Sequence, residues 1–199
     1  MNTLHIALKE WDLVIRELLA GRQVLLLRKG GILEAENQFV LEHPRFLFYP
    51  TFIHQNPDMV KAAKRPDIRL LPAEPESVQI TACGEVARIF EVPSRHAMDQ
   101  LRDLHPFDEP LIDMRFNYRA EKPLYLAVIR AFALAQPVRL PNTLDYAGCK
   151  SWVPLAQEIS IDHATPALPE ETLQAIIARI DATFAQKSEP RPSGSDTPC

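Results

Sequence analysis

Eighteen prolines punctuate this 199-residue chain, and they concentrate at the connections between its apolar runs. Proline lacks the N–H that a sheet ladder or helix interior needs, so each one marks a stop or a bend. Pro66, Pro72 and Pro75 fall in one surface connection from Arg65 to Ser77, while Pro137 and Pro141 lead into the loop up to Lys150. Between such breaks, strand-like and helix-like runs are mixed but do not alternate as βαβ units, so the expected class is α+β. The breaks favour a bent mixed sheet or a small barrel, with an N-terminal and a C-terminal helix, over a doubly wound parallel sheet.

Leu4, Leu8, Trp11, Ile15 and Leu18 recur at helical spacing and predict a helix from Thr3 to Ala20, with Gly21 as its C-cap. Trp11 is then expected in the core, between this helix and the sheet. Strands are expected at Gln23–Leu27, Gln38–Glu42 and Phe46–Ile53, the last interrupted by Pro50 at an edge or bulge. Asn56-Pro57 opens a short helix to about Lys64. Val78–Val92 reads as a long strand with a bulge or bend at Gly84, and Ser94 caps a helix to about Leu104. Leu111–Tyr118 and Leu124–Leu134 read as paired strands, and Pro169–Gln186 as a last amphipathic helix.

The length suits one globular domain, expected over residues 1–187, followed by a Ser/Pro/Gly-rich tail, 188–199, expected to be disordered. A net charge of -4 argues against coating nucleic acid by bulk attraction and leaves a local basic groove open. Residues 113–150 carry six bases against three acids, a local excess that is also compatible with an ordinary solvated surface. Cys83, Cys149 and Cys199 form no CxxC pair, which fits a reducing compartment. The opening MNTLHIALKEW lacks the pattern of a secretory signal, and no apolar run approaches the ~20 residues of a membrane helix. The expected location is the cytoplasm, with no membrane partner.

Three segments are candidates for chemistry. Arg28-Lys29-Gly30-Gly31 places two cations and free glycine amides at a strand end, a pattern that holds phosphate or carboxylate. It matches neither a Walker loop nor GxGxxG, and a Gly-Gly hairpin turn with solubilising cations is the alternative. Between His43 and Gln55, the side chains of Tyr49, Thr51, Ile53 and Gln55 would share one strand face, near His54, and could grip a base or a small polar ligand. Alternatively Tyr49 is a core-edge aromatic. His43 and His54 lack the Cys or carboxylate partners of a zinc site, so no metal and no cofactor is expected. In Gly148-Cys149-Lys150-Ser151-Trp152 a thiol nucleophile is permitted, although small cysteines are more commonly packing residues.

Ala7-Leu-Lys-Glu-Trp11, Leu25-Leu-Leu-Arg-Lys-Gly-Gly-Ile32, Tyr49-Pro-Thr51 with His54-Gln55, and Gly148-Cys149 with Ser151-Trp152 together resemble a bacterial domain-of-unknown-function family, number 1802. The resemblance runs from about Ile6 to Leu155. It implies a link to DNA restriction-modification, through family members associated with an Mrr-type endonuclease domain, and it supplies no catalytic residues. A fainter resemblance of element order, from Gly84-Glu85-Val86 through Ser94 to Gln136-Pro137-Val138, is to PUA-like barrels, including the ASCH and EVE domains that bind RNA or modified DNA bases. It implies a cavity lined by the aromatic strand, Arg115 and the Trp152 segment.

The leading expectation is a nucleic-acid-binding module with DNA or RNA as partner. Arg115, Arg119 and Arg139 would contact phosphates, and Tyr49 or Trp152 would stack on a base. The alternatives are a small-molecule enzyme using His54, Cys149 or His43, and a non-catalytic interaction protein.

Overall fold

The computed structural model describes residues 2–29, 32–35, 38–148 and 150–185. Gly30, Cys149 and the 188–199 tail, singled out above, lie outside the described residues. Strand β1 (Thr3–Trp11) passes directly into helix α1 (Asp12–Leu19). Strands β2 (Leu25–Arg28), β3 (Ile32–Ala35), β4 (Gln38–Leu41) and β5 (Arg45–Thr51) follow, then two 3-10 turns at Pro57–Met59 and Ala62–Asp67. The long strand β6 (Ser77–Glu91) leads to helices α2 (Arg95–Asp99) and α3 (Glu109–Asn117). After the equally long β7 (Tyr125–Pro141) come a 3-10 turn at Leu144–Tyr146, β8 (Trp152–Ser160), the short β9 (Thr165–Pro166) and helix α4 (Glu170–Ala185).

Seven strands form one mixed sheet in the order β2-β7-β6-β5-β1-β8, with β9 added against β7. β1 and β5 run parallel, and the other pairs in this sheet are antiparallel. The fold is α+β, and the sheet does not close: among the described residues β2 and β8 have no strand pairing with each other. β3 and β4 form a separate two-stranded hairpin.

Side chains alternate across a strand, and here both faces are covered. Leu8, Phe46 and Phe48 enter a core with Leu13, Leu18 and Ile129, while Ala7, Leu47 and Tyr49 enter a second core with Ile80, Leu140 and Val153. This double burial explains a correction at the start of the chain. Residues 3–11 form a strand rather than the first half of a helix, because β5 and β8 both pair with them. A register shift between Leu4 and Ile6 adds to the irregular apolar spacing that resembles a helix. Trp11 accordingly ends β1, half-buried, with its ring edge-on to Phe107 at 6.2 Å.

A second correction concerns Leu111–Tyr118, which is helix α3 and not a strand. Asp108 accepts a hydrogen bond from the Glu109 N–H at 2.9 Å, and Pro110 occupies the first turn. These are a capping residue and a proline where helices tolerate both. The helix expected after Asn56 is reduced to 3-10 turns, though the Asn56 side chain does cap the first by accepting from the Asp58 N–H. Ser94 caps α2 as expected, its Oγ accepting from the Ala97 N–H at 3.2 Å, but the α-helix ends at Asp99 and a 3-10 turn at Arg102–Leu104 replaces its expected remainder.

Gly84 is not the site of a bulge. The register shifts of the β6–β7 ladder fall between Ile80 and Ala82 and between Val86 and Arg88. Gly84 lies between them, where an added Cβ would come within 2.9 Å of Phe48, 3.0 Å of Ile129 and 3.1 Å of Phe46. Its function is to leave room for three core side chains. Pro50 is tolerated because β6 pairs with β5 only as far as Leu47.

Candidate functional site

Where β1 and β5 end side by side, the sheet opens into a cleft of about 690 Å³. Lys9, Glu10 and Trp11 enter it from β1, Arg28 from β2, and Tyr49 and Thr51 from β5. Ile53 and His54 follow from the turn after β5, and Arg115 comes from α3. The opposite rim is made by Glu74–Glu76, by Asn142–Leu144 and Tyr146–Gly148, and by Lys150 and Ser151.

The rim is tied to the floor by hydrogen bonds. The Tyr49 hydroxyl donates to Asn142 Oδ1 at 2.8 Å, and Asn142 Nδ2 donates to the Pro75 carbonyl at 3.0 Å. Tyr146, with its hydroxyl accepting from the Ala156 N–H at 2.9 Å, lies 5.5 Å from the Tyr49 ring. Lys9 Nζ donates to the Gly148 carbonyl at 3.1 Å and sits 5.9 Å from the Tyr49 ring centroid, a cation–π contact. Thr51 Oγ1 donates to the Glu10 carbonyl at 3.1 Å.

Three groups in the cleft are electrostatically displaced. Burial pushes the Tyr49 phenol up to about 12, helped by the nearby Glu74 carboxylate and Tyr146, so its hydroxyl remains a donor at neutral pH. Burial also raises the Glu10 carboxyl, against the Trp11 N–H that it accepts and the positive charges of Arg28 and Arg115. Arg28 is shifted downward, first by burial and also by Arg115, with Glu10 opposing.

The cleft thus gathers five of the sequence-predicted site residues: Arg28, Tyr49, Thr51, His54 and Arg115. Four others are placed elsewhere. Lys29 turns the other way along β2, and its Nζ donates to the carbonyls of Phe116, Arg119 and Lys122 at 3.2, 3.3 and 2.7 Å. Gln55 is buried, bonded to the Leu13 N–H and the Arg69 carbonyl. Arg119, at φ 48°, lays its guanidinium over the Tyr118 ring on the surface. Trp152 packs edge-on against Phe46 and His43, at 5.2 and 5.0 Å.

The basic stretch 113–150 is likewise dispersed. Arg115 and Lys150 line the cleft, whereas Arg130 pairs with Glu170 and Glu85, and Arg139 donates to Ser77 Oγ. Sequence reasoning passed over Glu10, Asn142 and Tyr146. A Lys-Glu pair beside a tryptophan was the available signal for Glu10, while Asn142 and Tyr146 sit in an irregular segment without one. Among the described residues no cluster of three or more His, Cys, Asp or Glu side chains is placed to hold a metal, and no helix is long and apolar enough to cross a membrane.

Two solved structures of similar shape, at low identity, are those of ASCH from Zymomonas mobilis and of a point mutant of it. The first has a TM-score of 0.42 and 13% identity, covering 87% of this chain and 93% of that chain. For the mutant the values are 0.42, 12%, 87% and 94%. No curated protein matches the chain. A family model described as "Domain of unknown function (DUF1802)" matches residues 7–179, and the chain belongs to that family.

Proposed function

We propose that this chain is a nucleic-acid-binding module that admits one nucleotide into the cleft. The observation that carries the reading is the meeting of Lys9, Arg28, Arg115 and Lys150 with Trp11, Tyr49 and Tyr146 around one space. Cations supply phosphate contacts without sequence preference, and aromatic faces accept a base. The volume lies in the range of pockets that enclose small ligands, a range that includes a nucleotide. Because the net charge is -4, attraction must come from this local group rather than from the whole surface.

The test is a titration of single-stranded, duplex and base-modified oligonucleotides at two salt concentrations. Base-modified duplexes address the restriction-modification setting that belongs to this proposal. Affinity is expected to fall as salt rises, with a slope set by a few contacts, and Arg115→Gln is expected to weaken all sequences alike. Absence of binding to every oligonucleotide at low salt refutes the reading. A small-molecule enzyme is then favoured instead, because the raised Glu10 carboxyl and the exposed His54 share the same cleft and could move protons there.

A further inference from the structure

Arg28 and Arg115 line the cleft close enough to influence each other, from different elements, and both are half-buried. Among the described residues neither guanidinium makes a hydrogen bond or an ion pair, and Arg115 Nε is shut off from solvent without a partner. Partly buried cations without partners are unfavourable, and a second like charge nearby adds repulsion. Glu10 interacts with both, so the trio carries a net charge of +1 with its carboxylate ionised.

The geometry of the pair is fixed by a neighbour. Lys29, next to Arg28, reaches the carbonyl of Phe116, next to Arg115, and covers two further carbonyls after α3. Only 9% of Lys29 is exposed, so the end of β2 and the end of α3 are held together from behind the cleft. Arg28 and Arg115 therefore face the cleft as a preset pair.

We infer that Arg28 and Arg115 form a subsite for a terminal phosphate, a phosphomonoester at a strand end or on a mononucleotide. The inference rests on the nucleic-acid reading above and names the part of the ligand that this site takes. Two forked guanidiniums match a group with three free oxygens and close to two negative charges. An internal phosphodiester offers two free oxygens and one charge, and would leave the pair incompletely neutralised.

The experiment titrates the full chain with inorganic phosphate, with a nucleoside 5′-monophosphate, and with two oligonucleotides identical except for a 5′-phosphate or a 5′-hydroxyl. Inorganic phosphate is expected to bind, and the phosphorylated oligonucleotide to bind about tenfold tighter than its partner. Arg28→Gln and Arg115→Gln are each expected to abolish that preference, whereas Arg139→Gln, outside the cleft, keeps it. Circular dichroism establishes that each variant is folded; if one is not, the wild-type comparison decides alone. Equal affinity for the two oligonucleotides, with no binding of inorganic phosphate, overturns the subsite while leaving the nucleic-acid reading intact. Phosphate binding that is lost in the two variants, without binding of any oligonucleotide, supports the subsite and removes the nucleic-acid reading.

Discussion

His105 gives the sharpest quantitative handle on this fold. The residue is 4% exposed, its ring lies 5.9 Å from the Phe107 ring in a stacked arrangement, and among the described residues neither ring nitrogen has a partner in good hydrogen-bond geometry, although the Phe107 backbone is near enough to favour the charged ring. Burial lowers its pKa to about 4, Lys61 lowers it further, and the Phe107 backbone opposes them weakly. The Lys61 ammonium donates to the His105 carbonyl, so the positive charge is fixed beside the ring. A depressed pKa means that the unfolded chain binds the proton more readily than the folded one. The associated stability is complete above about pH 6.5 and is lost as the pH falls through the interval from 6.5 to 4. From these two values the loss is on the order of 1 kcal/mol at pH 5.5 and about 2–3 kcal/mol at pH 4.5. Urea unfolding at pH 7.5, 5.5 and 4.5 measures it when wild type is compared with His105→Phe. The variant should lose less stability on acidification, by those amounts, because the carboxylates titrate alike in both. Parallel pH profiles would refute the placement of an unpartnered imidazole in this core.

Other expectations follow from single contacts. Gly84→Ala should destabilise the protein by about 1–3 kcal/mol, since its Cβ meets Phe48, Ile129 and Phe46; an unchanged melting temperature contradicts that packing. Lys29→Met, which strips the ammonium from three carbonyls, should cost about 2–3 kcal/mol in chemical denaturation. Cys83, buried and with its thiol pushed up to about 11, should label with iodoacetamide only after unfolding, whereas rapid native labelling at pH 7.5 contradicts its placement. Tyr49→Phe removes the hydroxyl that holds Asn142, and should lower oligonucleotide affinity without changing its salt slope.

The sequence was most legible where one physical signal acted alone. Ser94 followed by a helix, and the apolar face of Pro169–Gln186, correspond to α2 and α4 because capping and amphipathicity are local properties. It was least legible where distant pairing decided the outcome. Residues 3–11 show a helical spacing of large side chains and become a strand only because β5 and β8 flank them. At α3 two local signals compete: Asp108 and Pro110 mark a helix start, while the apolar residues Leu111, Ile112 and Phe116 resemble a buried strand. For the cleft, the aromatic strand and Arg28 could be read from residue type. Which of Arg28 and Lys29 faces the cleft could not, because alternation separates neighbours but only the register of β2 on β7 decides the face each takes.

The position of β1 sets the order in which the protein can be assembled. This strand lies inside the sheet, and its two neighbours come from distant parts of the chain: Ala7 is opposite Leu47 on one side and Val153 on the other. Loop closure over such separations is slow, so β1 gains its second partner late. On a ribosome it must wait, paired on one edge at most, until β8 has left the exit tunnel. The Lys9 N–H reaches the Ser151 carbonyl across that same seam. The two banks of the cleft therefore cannot meet before β8 is made, and a chain halted before β8 would carry β1 with an unpaired edge.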